Sequence, residues 1–300
     1  CKKDIYSGIT FTAPVFPDSV VVKTEVVNDT LYTKTAWGLT SYRNCLILLA
    51  NMDDCLFQVY DKTTGERVRS FGQLGRGPQE ILPVSSFYIN DEKGILTSFN
   101  QSTKDVLVFH LDSIFSGKEH VMDKLNLSQY PGMTFLEALP ARNHFLLYGA
   151  KCKVYPEGAR YTLFAEGGKY ISSYDDYPLS SSPSDSIDKP LDWMNLSTTR
   201  ALSPDGTKLA EATRVGGILE TFEVADKIAP MALKGYYKPH FYQDKNEQIF
   251  TPKTQFGFYY LSASNHYLYA LSFNGSHSDL YPSSEMQVFD WQGNPVKKYK

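Results

Sequence analysis

Leu202-Ser203-Pro204-Asp205-Gly206-Thr207-Lys208-Leu209-Ala210 spells a hairpin by turn chemistry alone. Pro204 presets the first central torsion of a tight turn, Gly206 tolerates a positive φ, and apolar residues flank the turn on both sides. The same grammar runs outward from this stretch. Leu46-Ile47-Leu48-Leu49, a four-residue turn at Asn51-Met52-Asp53-Asp54, and Leu56-Phe57-Gln58-Val59-Tyr60 read as a second hairpin. Gly (20) and Pro (16) punctuate the whole 300-residue chain, so no long amphipathic helical pattern survives between them. One short helix, or equally a turn, is offered by Asp112 to Gly117. The Ser/Pro/Asp-rich segment from Tyr177 to Pro190 reads as an exposed loop between units, not a domain boundary. An aromatic content of 14% favours strands.

The strands repeat. An apolar or β-branched residue followed by an aromatic, often with an acidic residue next, occurs at Val59-Tyr60-Asp61, Val108-Phe109, Leu163-Phe164, Thr221-Phe222-Glu223 and Val288-Phe289-Asp290. The rings are 49, 55, 58 and 67 residues apart, which suits one four-stranded sheet per unit with loops of variable length. Five such units are recognisable: Leu39 to Phe71, Val84 to Leu127, Phe135 to Tyr177, Thr199 to Phe241, and Phe256 to Lys300.

The hairpin at 202–210 resembles the SPDG-x-x-[LIV]-A hairpin of TolB-type β-propellers. Phe71-Gly72-Gln73-Leu74-Gly75-Arg76-Gly77-Pro78-Gln79-Glu80-Ile81 resembles the loop between blades in six-bladed TolB- and NHL-like propeller lipoproteins of Bacteroidetes. The resemblance implies an all-β, six-bladed propeller over residues 20–300, with residues 1–19 as tether and lead-in. Against six blades stand five recognisable units. Either Val20 to Thr33 contributes much of a blade, or the last blade is truncated. A five-blade closure is the third account. The glycines at 72–77 do not follow either nucleotide-binding spacing, and Pro83 and the β-like Val84 to Ile89 stand where a phosphate-binding helix would begin.

Cys1-Lys2-Lys3-Asp4 resembles the start of a mature bacterial lipoprotein. That resemblance implies acyl chains on Cys1 and a place in the cell envelope, anchored by lipid at the outer membrane. Apolar stretches such as Cys45 to Met52 are too short to span a bilayer. A net charge of −3 provides no field for nucleic acid.

Chemistry is thinly written. His110, His120, His144, His240, His266 and His277 show no ligand spacing, and no GxSxG elbow is present. Asp53-Asp54, Asp91-Glu92 and Asp175-Asp176 fall at apparent turns, where solvated carboxylates are ordinary. Cys45, Cys55 and Cys152 read as buried free thiols, because the four-residue turn would set Cys45 opposite Tyr60, out of register for a disulfide with Cys55. No cofactor is expected. Arg76 and Glu80 are expected on the rim of a propeller's central channel, facing a ligand or bracing adjacent blades as an ion pair. Tyr236, Tyr237 and Tyr242 supply flat faces for sugar rings or peptide side chains, or else core. The expected function is a binding or scaffolding module for a peptide, protein or glycan, without catalysis. The rival is a metal-dependent lactonase- or lyase-like enzyme with its site in the channel, and a third reading is a structural member of an envelope complex.

Overall fold

The computed structural model describes residues 5–23, 25–29, 36–118, 122–150, 158–179, 196–244, 247–250, 254–272 and 285–300. A two-residue strand, β1 (Ser19–Val20), comes first. Four-stranded antiparallel meanders follow. The first is β2 (Ala36–Tyr42), β3 (Cys45–Met52), β4 (Cys55–Asp61) and β5 (Arg67–Gln73). The second is β6 (Tyr88–Asn90), β7 (Ile95–Asn100), β8 (Asp105–His110) and β9 (Met122–Asn126), with the helix α1 (Leu111–Ser116) between β8 and β9. The third is β10 (Thr134–Pro140), β11 (His144–Ala150), β12 (Tyr161–Ala165) and β13 (Tyr170–Tyr174), and the fourth is β14 (Thr198–Leu202), β15 (Lys208–Thr213), β16 (Gly217–Val224) and β17 (Ile228–Tyr237). A two-stranded hairpin, β18 (Phe241–Asp244) and β19 (Glu247–Phe250), precedes the last meander of β20 (Phe258–Ala263), β21 (Tyr267–Ser272), β22 (Met286–Asp290) and β23 (Pro295–Tyr299). Its fifth strand is β1, parallel to β23 with Ser19 beside Lys298 and Val20 beside Tyr299.

The chain divides into two compact units, one of Lys23–Gly149 with Tyr161–Ser172, the other of Cys1–Val22, Ala150–Arg160 and Ser173–Lys300. Within the first, β2 lies against β6, and β10 against β6 and β7. Within the second, β14 and β15 lie directly against β20. The repeated aromatics explain why the sheets stack. Tyr60, Phe109, Phe164, Phe222 and Phe289 all lie on the third strand of their sheet, and all are buried. Four of them face the preceding sheet. Phe109 meets Phe57 and Phe71 at 5.3 and 5.4 Å, Phe222 meets Tyr174 at 5.4 Å, and Phe289 meets Tyr236 at 5.1 Å. Phe164 joins a cluster with Phe99, Val106 and Val108 of the second sheet, whereas Tyr60 packs on Leu48 and Ala50 of its own.

Local readings are met with adjustments. The 202–210 hairpin forms, with Gly206 at φ 68°, and the Asp205 carboxylate accepts the Ser203 and Thr207 hydroxyls at 2.6 and 2.8 Å. Residues 111–116 are helix, ended by Gly117 in the left-handed conformation. The turn between β3 and β4 is tighter than four residues. Asp53 and Asp54 both take positive φ (50° and 58°), the signature of a two-residue hairpin turn, and a bulge between Leu49 and Met52 absorbs the difference. Cys45 therefore lies opposite Asp61, not Tyr60, and Cys45 and Cys55 are half-buried free thiols. Cys152 lies outside the described residues. Tyr177 and Leu179 are buried beside Val215 and Ile218, so the segment expected to be an exposed loop begins as core; 180–190 lie outside the described residues. The lead-in is woven into the second unit from Tyr6 onward: Tyr6 and Ile9 are buried, Phe11 bridges Gly235, and Phe16 packs on Phe289.

The approach to the last sheet is a close backbone contact. Gly257 donates its amide to the Arg214 carbonyl at 2.7 Å, and a Cβ there would stand 1.8 Å from the Gly216 oxygen. Gly257→Ala is expected to lower stability by about 2 kcal/mol or more, measured as the urea unfolding midpoint against wild type.

Candidate functional site

The connection from β5 to β6 carries the most built-up surface feature of the first unit. Leu74 and Ile81 close its base as a parallel bridge, with Gly75 donating to Ile81 O at 3.1 Å and Ile81 donating to Gln73 O at 2.9 Å. Inside it the Glu80 carboxylate accepts the Gly77 amide at 2.7 Å, while the Glu80 amide donates back to Gly77 O at 3.1 Å. Only glycine fits at position 75, where a Cβ would come within 1.9 Å of the Glu80 carboxylate. The Lys124 ammonium donates to the Glu80 carbonyl at 2.7 Å, tying the loop to β9. Asn100 ties it to the β7–β8 turn: its amide donates to Leu82 O at 3.2 Å and its oxygen accepts the Ser102 and Thr103 amides.

The result is a cleft of about 340 Å³ lined by Arg76, Glu80, Asn100, Thr103, Asp105 and Lys124 among others. Asp105 is fixed by the Asn126 amide at 2.7 Å. Glu80 is turned inward to its own loop and makes no ion pair with Arg76, which stands exposed at the mouth. The expected bracing pair is thus replaced by a brace within the loop. This arrangement sets two cations, Arg76 and Lys124, around one cleft with the Asp105 carboxylate, and can meet an anionic group at its Arg76 mouth.

The tyrosines divide. Tyr236 is core: its ring packs on Phe258 and Phe289, its hydroxyl donates to Gly293 O, and burial raises its pKa, so no face remains for a ligand. Tyr237 is half-buried. Tyr242 falls on β18, whose side chains lie outside the described residues. The exposed rings nearby are instead Tyr259 and Tyr260, turned out together by a bulge in β20, with the Arg214 guanidinium 4.9 Å from the Tyr259 ring. His110 pairs with Asp123 at 2.6 Å, Asp53 pairs with Arg67, and His120, His277 and Cys1 lie outside the described residues. Among the described residues no three His, Cys, Asp or Glu side chains converge to hold an ion.

The TolB-like 6-blade propeller-like family model matches residues 15–300. The chain belongs to that family. Of solved structures, a protein of Bacteroides fragilis NCTC 9343 described as exported is similar over 97% of this chain and 79% of its own, at 14% identity and TM-score 0.52. A DUF4221 family member from Bacteroides vulgatus ATCC 8482 is similar over 89% and 81%, at 8% identity and TM-score 0.52. No curated protein matches the sequence. The family is six-bladed, whereas the described residues hold five sheets of four or more strands and the hairpin β18–β19. Of the described residues between Val20 and Thr33, Val20 joins the last blade through β1, and the Val22 amide extends the contact to Lys300 O.

Within this TolB-like propeller the second unit hides a charge cluster that sequence reading passed over. Register gives part of it, Arg200, Glu211 and Glu220, but not Arg160. The Ser203–Thr207 turn sets Arg200 opposite Glu211, and Glu211 lies opposite Glu220 on the next strand. Two carboxylates side by side in a sheet repel. Arg160, fully buried, answers both: its guanidinium contacts Glu211 and Glu220, donates to Asp176 O at 2.9 Å, and lies 5.1 Å from the Tyr177 ring. Arg200 donates to Glu211 at 2.7 Å and to the Thr198 hydroxyl at 2.6 Å. Burial holds the Glu220 carboxyl above the usual range, with Arg160 opposing and Glu211 adding to the shift. Tyr174, desolvated beside Glu220, is pushed up to about 12.

Arg160→Leu leaves two buried carboxylates facing each other and is expected to cost about 3–5 kcal/mol in urea unfolding at neutral pH. The pH dependence has a definite sign. A carboxyl raised in the fold stabilises it below the unfolded value and loses that contribution as pH rises through the folded value. The stability of wild type minus that of Glu220→Gln should therefore fall as pH rises above 4.5, in a urea series across pH.

Proposed function

We propose that the protein is an envelope-side binding or scaffolding module, held to the membrane by lipid on Cys1, that takes a carboxylate-bearing peptide, protein or glycan in the cleft beside Arg76. The observation that carries this reading is the inward-turned Glu80, which stiffens the loop and leaves Arg76 exposed beside Lys124. A preorganised frame with an exposed guanidinium lowers the entropic cost of ligand capture, and guanidinium geometry suits a planar carboxylate. The propeller fold supports the binding role, since sheets of this kind serve as rigid supports for loops. The Bacteroides fragilis neighbour described as exported supports the envelope address.

Calorimetric titration with oligoglucuronate and with short acidic peptides tests the cleft. Arg76→Ala should weaken whichever ligand binds by tenfold or more with an unchanged circular dichroism spectrum, in keeping with about 1.5–3 kcal/mol for a charged hydrogen bond. Equal affinity in wild type and variant would remove the cleft from consideration. The anchor is tested separately, by the mass of the N-terminal peptide from membrane-extracted protein, which should exceed the Cys1-Lys2-Lys3 sequence mass by its acyl chains.

A further inference from the structure

We propose that the outer edge of β5 is a docking site for an extended acidic segment of a partner protein, which adds to the first sheet as a fifth strand. The inference rests on the reading of the chain as a binding module but concerns a surface other than the Arg76 cleft. Its first support is the way the chain treats comparable edges. Along β17, Phe11 bridges Gly235 in parallel and the Thr12 amide donates to Gly235 O at 2.9 Å. Along β23, β1 pairs in parallel and the Val22 amide reaches Lys300 O at 2.9 Å. An extended segment on a fourth strand is therefore how this fold finishes two of its sheets.

Among the described residues, no strand pairs with the outer edge of β5. Gln73 turns its carbonyl outward to the Ile81 amide, and Leu74 turns inward to Asp54 O. Alternation by two along the unbroken register from Gln73 to Arg69 turns the N–H and C=O groups of Phe71 and Arg69 to the same outer side. Among the described residues, no hydrogen bond reaches them there. Beside this edge runs a groove of about 450 Å³ whose lining among the described residues includes Phe71, Phe109, Ile114 and Met122 with Arg69 and Lys118, and no carboxylate. The Arg69 guanidinium is steadied on the Ile114 carbonyl.

Charge chooses the occupant. Two copies of β5 laid edge to edge would bring Arg67 and Arg69 of one against those of the other, and like charges across a ladder repel. A strand carrying glutamates or aspartates meets Arg69 and Lys118 favourably, its amides and carbonyls complete the ladder, and an apolar residue in its alternation enters the groove.

Hydrogen exchange of the full chain, read by mass spectrometry, tests this with an end-blocked decapeptide of alternating glutamate and valine against its lysine–valine counterpart. The acidic peptide should slow exchange across residues 67–73 at least tenfold, and the basic one should not. Arg69→Pro, which deletes an outward amide while sparing the β4 ladder, should abolish the protection; Arg69→Ala, keeping the amide, should retain part of it. Arg76→Ala should leave it intact, so failure of the cleft reading and failure of this one are separable. Equal protection by both peptides, protection by neither, or protection that grows with protein concentration in the absence of peptide would each overturn the proposal, the last by making a second copy the occupant.

Discussion

A four-stranded meander has two faces and too little material to bury either, and in this chain the ring on the third strand answers that problem. Phe109, Phe222 and Phe289 each reach the sheet before them, and Phe164 lies in the cluster that its sheet shares with the preceding one. Each ring removes apolar surface from two sheets at once, and Phe109 and Phe222 meet their neighbours edge to face, the geometry that aromatic quadrupoles favour. No sheet is stable without its neighbour in that arrangement, which is why the spacing of one residue type sets the architecture. Variable loops separate the rings by 49 to 67 residues without disturbing the packing, because the constraint acts on the third strand and not on chain length.

Stacking sheets in this way leaves their fourth strands outermost, with unpaired backbone on one side. Unpaired edges invite association with any extended chain. In the second unit the segment before β2 covers two of them, at Gly235 and along β23, and buries Tyr6 and Ile9 and half-buries Phe16 in doing so. Residues 5–20 are therefore structural in a way that a polar tether is not. The buried charges obey a related logic. Glu211 and Glu220 share a rung, and Arg160, arriving from outside that sheet, joins the rung to Asp176 and Tyr177. An ionic cluster of this sort adds less stability than apolar packing would, but its directional bonds accept one relative placement of the segments that supply it.

Much of this was legible because hairpins and buried rings are local or periodic signals. The turn at 203–207 is determined by four residues, and the five units drawn from the aromatic repeat coincide with the five meanders. What escaped depended on details that composition does not carry. Two aspartates in the left-handed region shortened the turn at 53–54 and moved Cys45 to face Asp61, because the tolerance of aspartate for positive φ is a preference and not a rule. Tyr236 and Tyr259 lie in equally aromatic text, yet one is sealed by Phe258 and Phe289 and the other is turned out by a bulge. Arg160 belongs to the Glu211–Glu220 rung only through the fold, since 51 residues separate it from the nearer partner.

The loop at 72–81 shows how the legible and illegible parts meet. Its glycines announce a turn, and the resemblance announced a handover between blades, but whether Glu80 faces outward or inward is decided by one backbone amide at Gly77. Once the carboxylate is spent there, Arg76 loses its obvious partner, and Lys124 is tied to the loop through a carbonyl. A surface that could have been a self-paired brace becomes an exposed guanidinium over a cleft that Lys124 and Asp105 also line. The internal hydrogen bond of one connecting loop thus decides which charges that loop presents, and a family that keeps its sheets can vary such loops without losing stability.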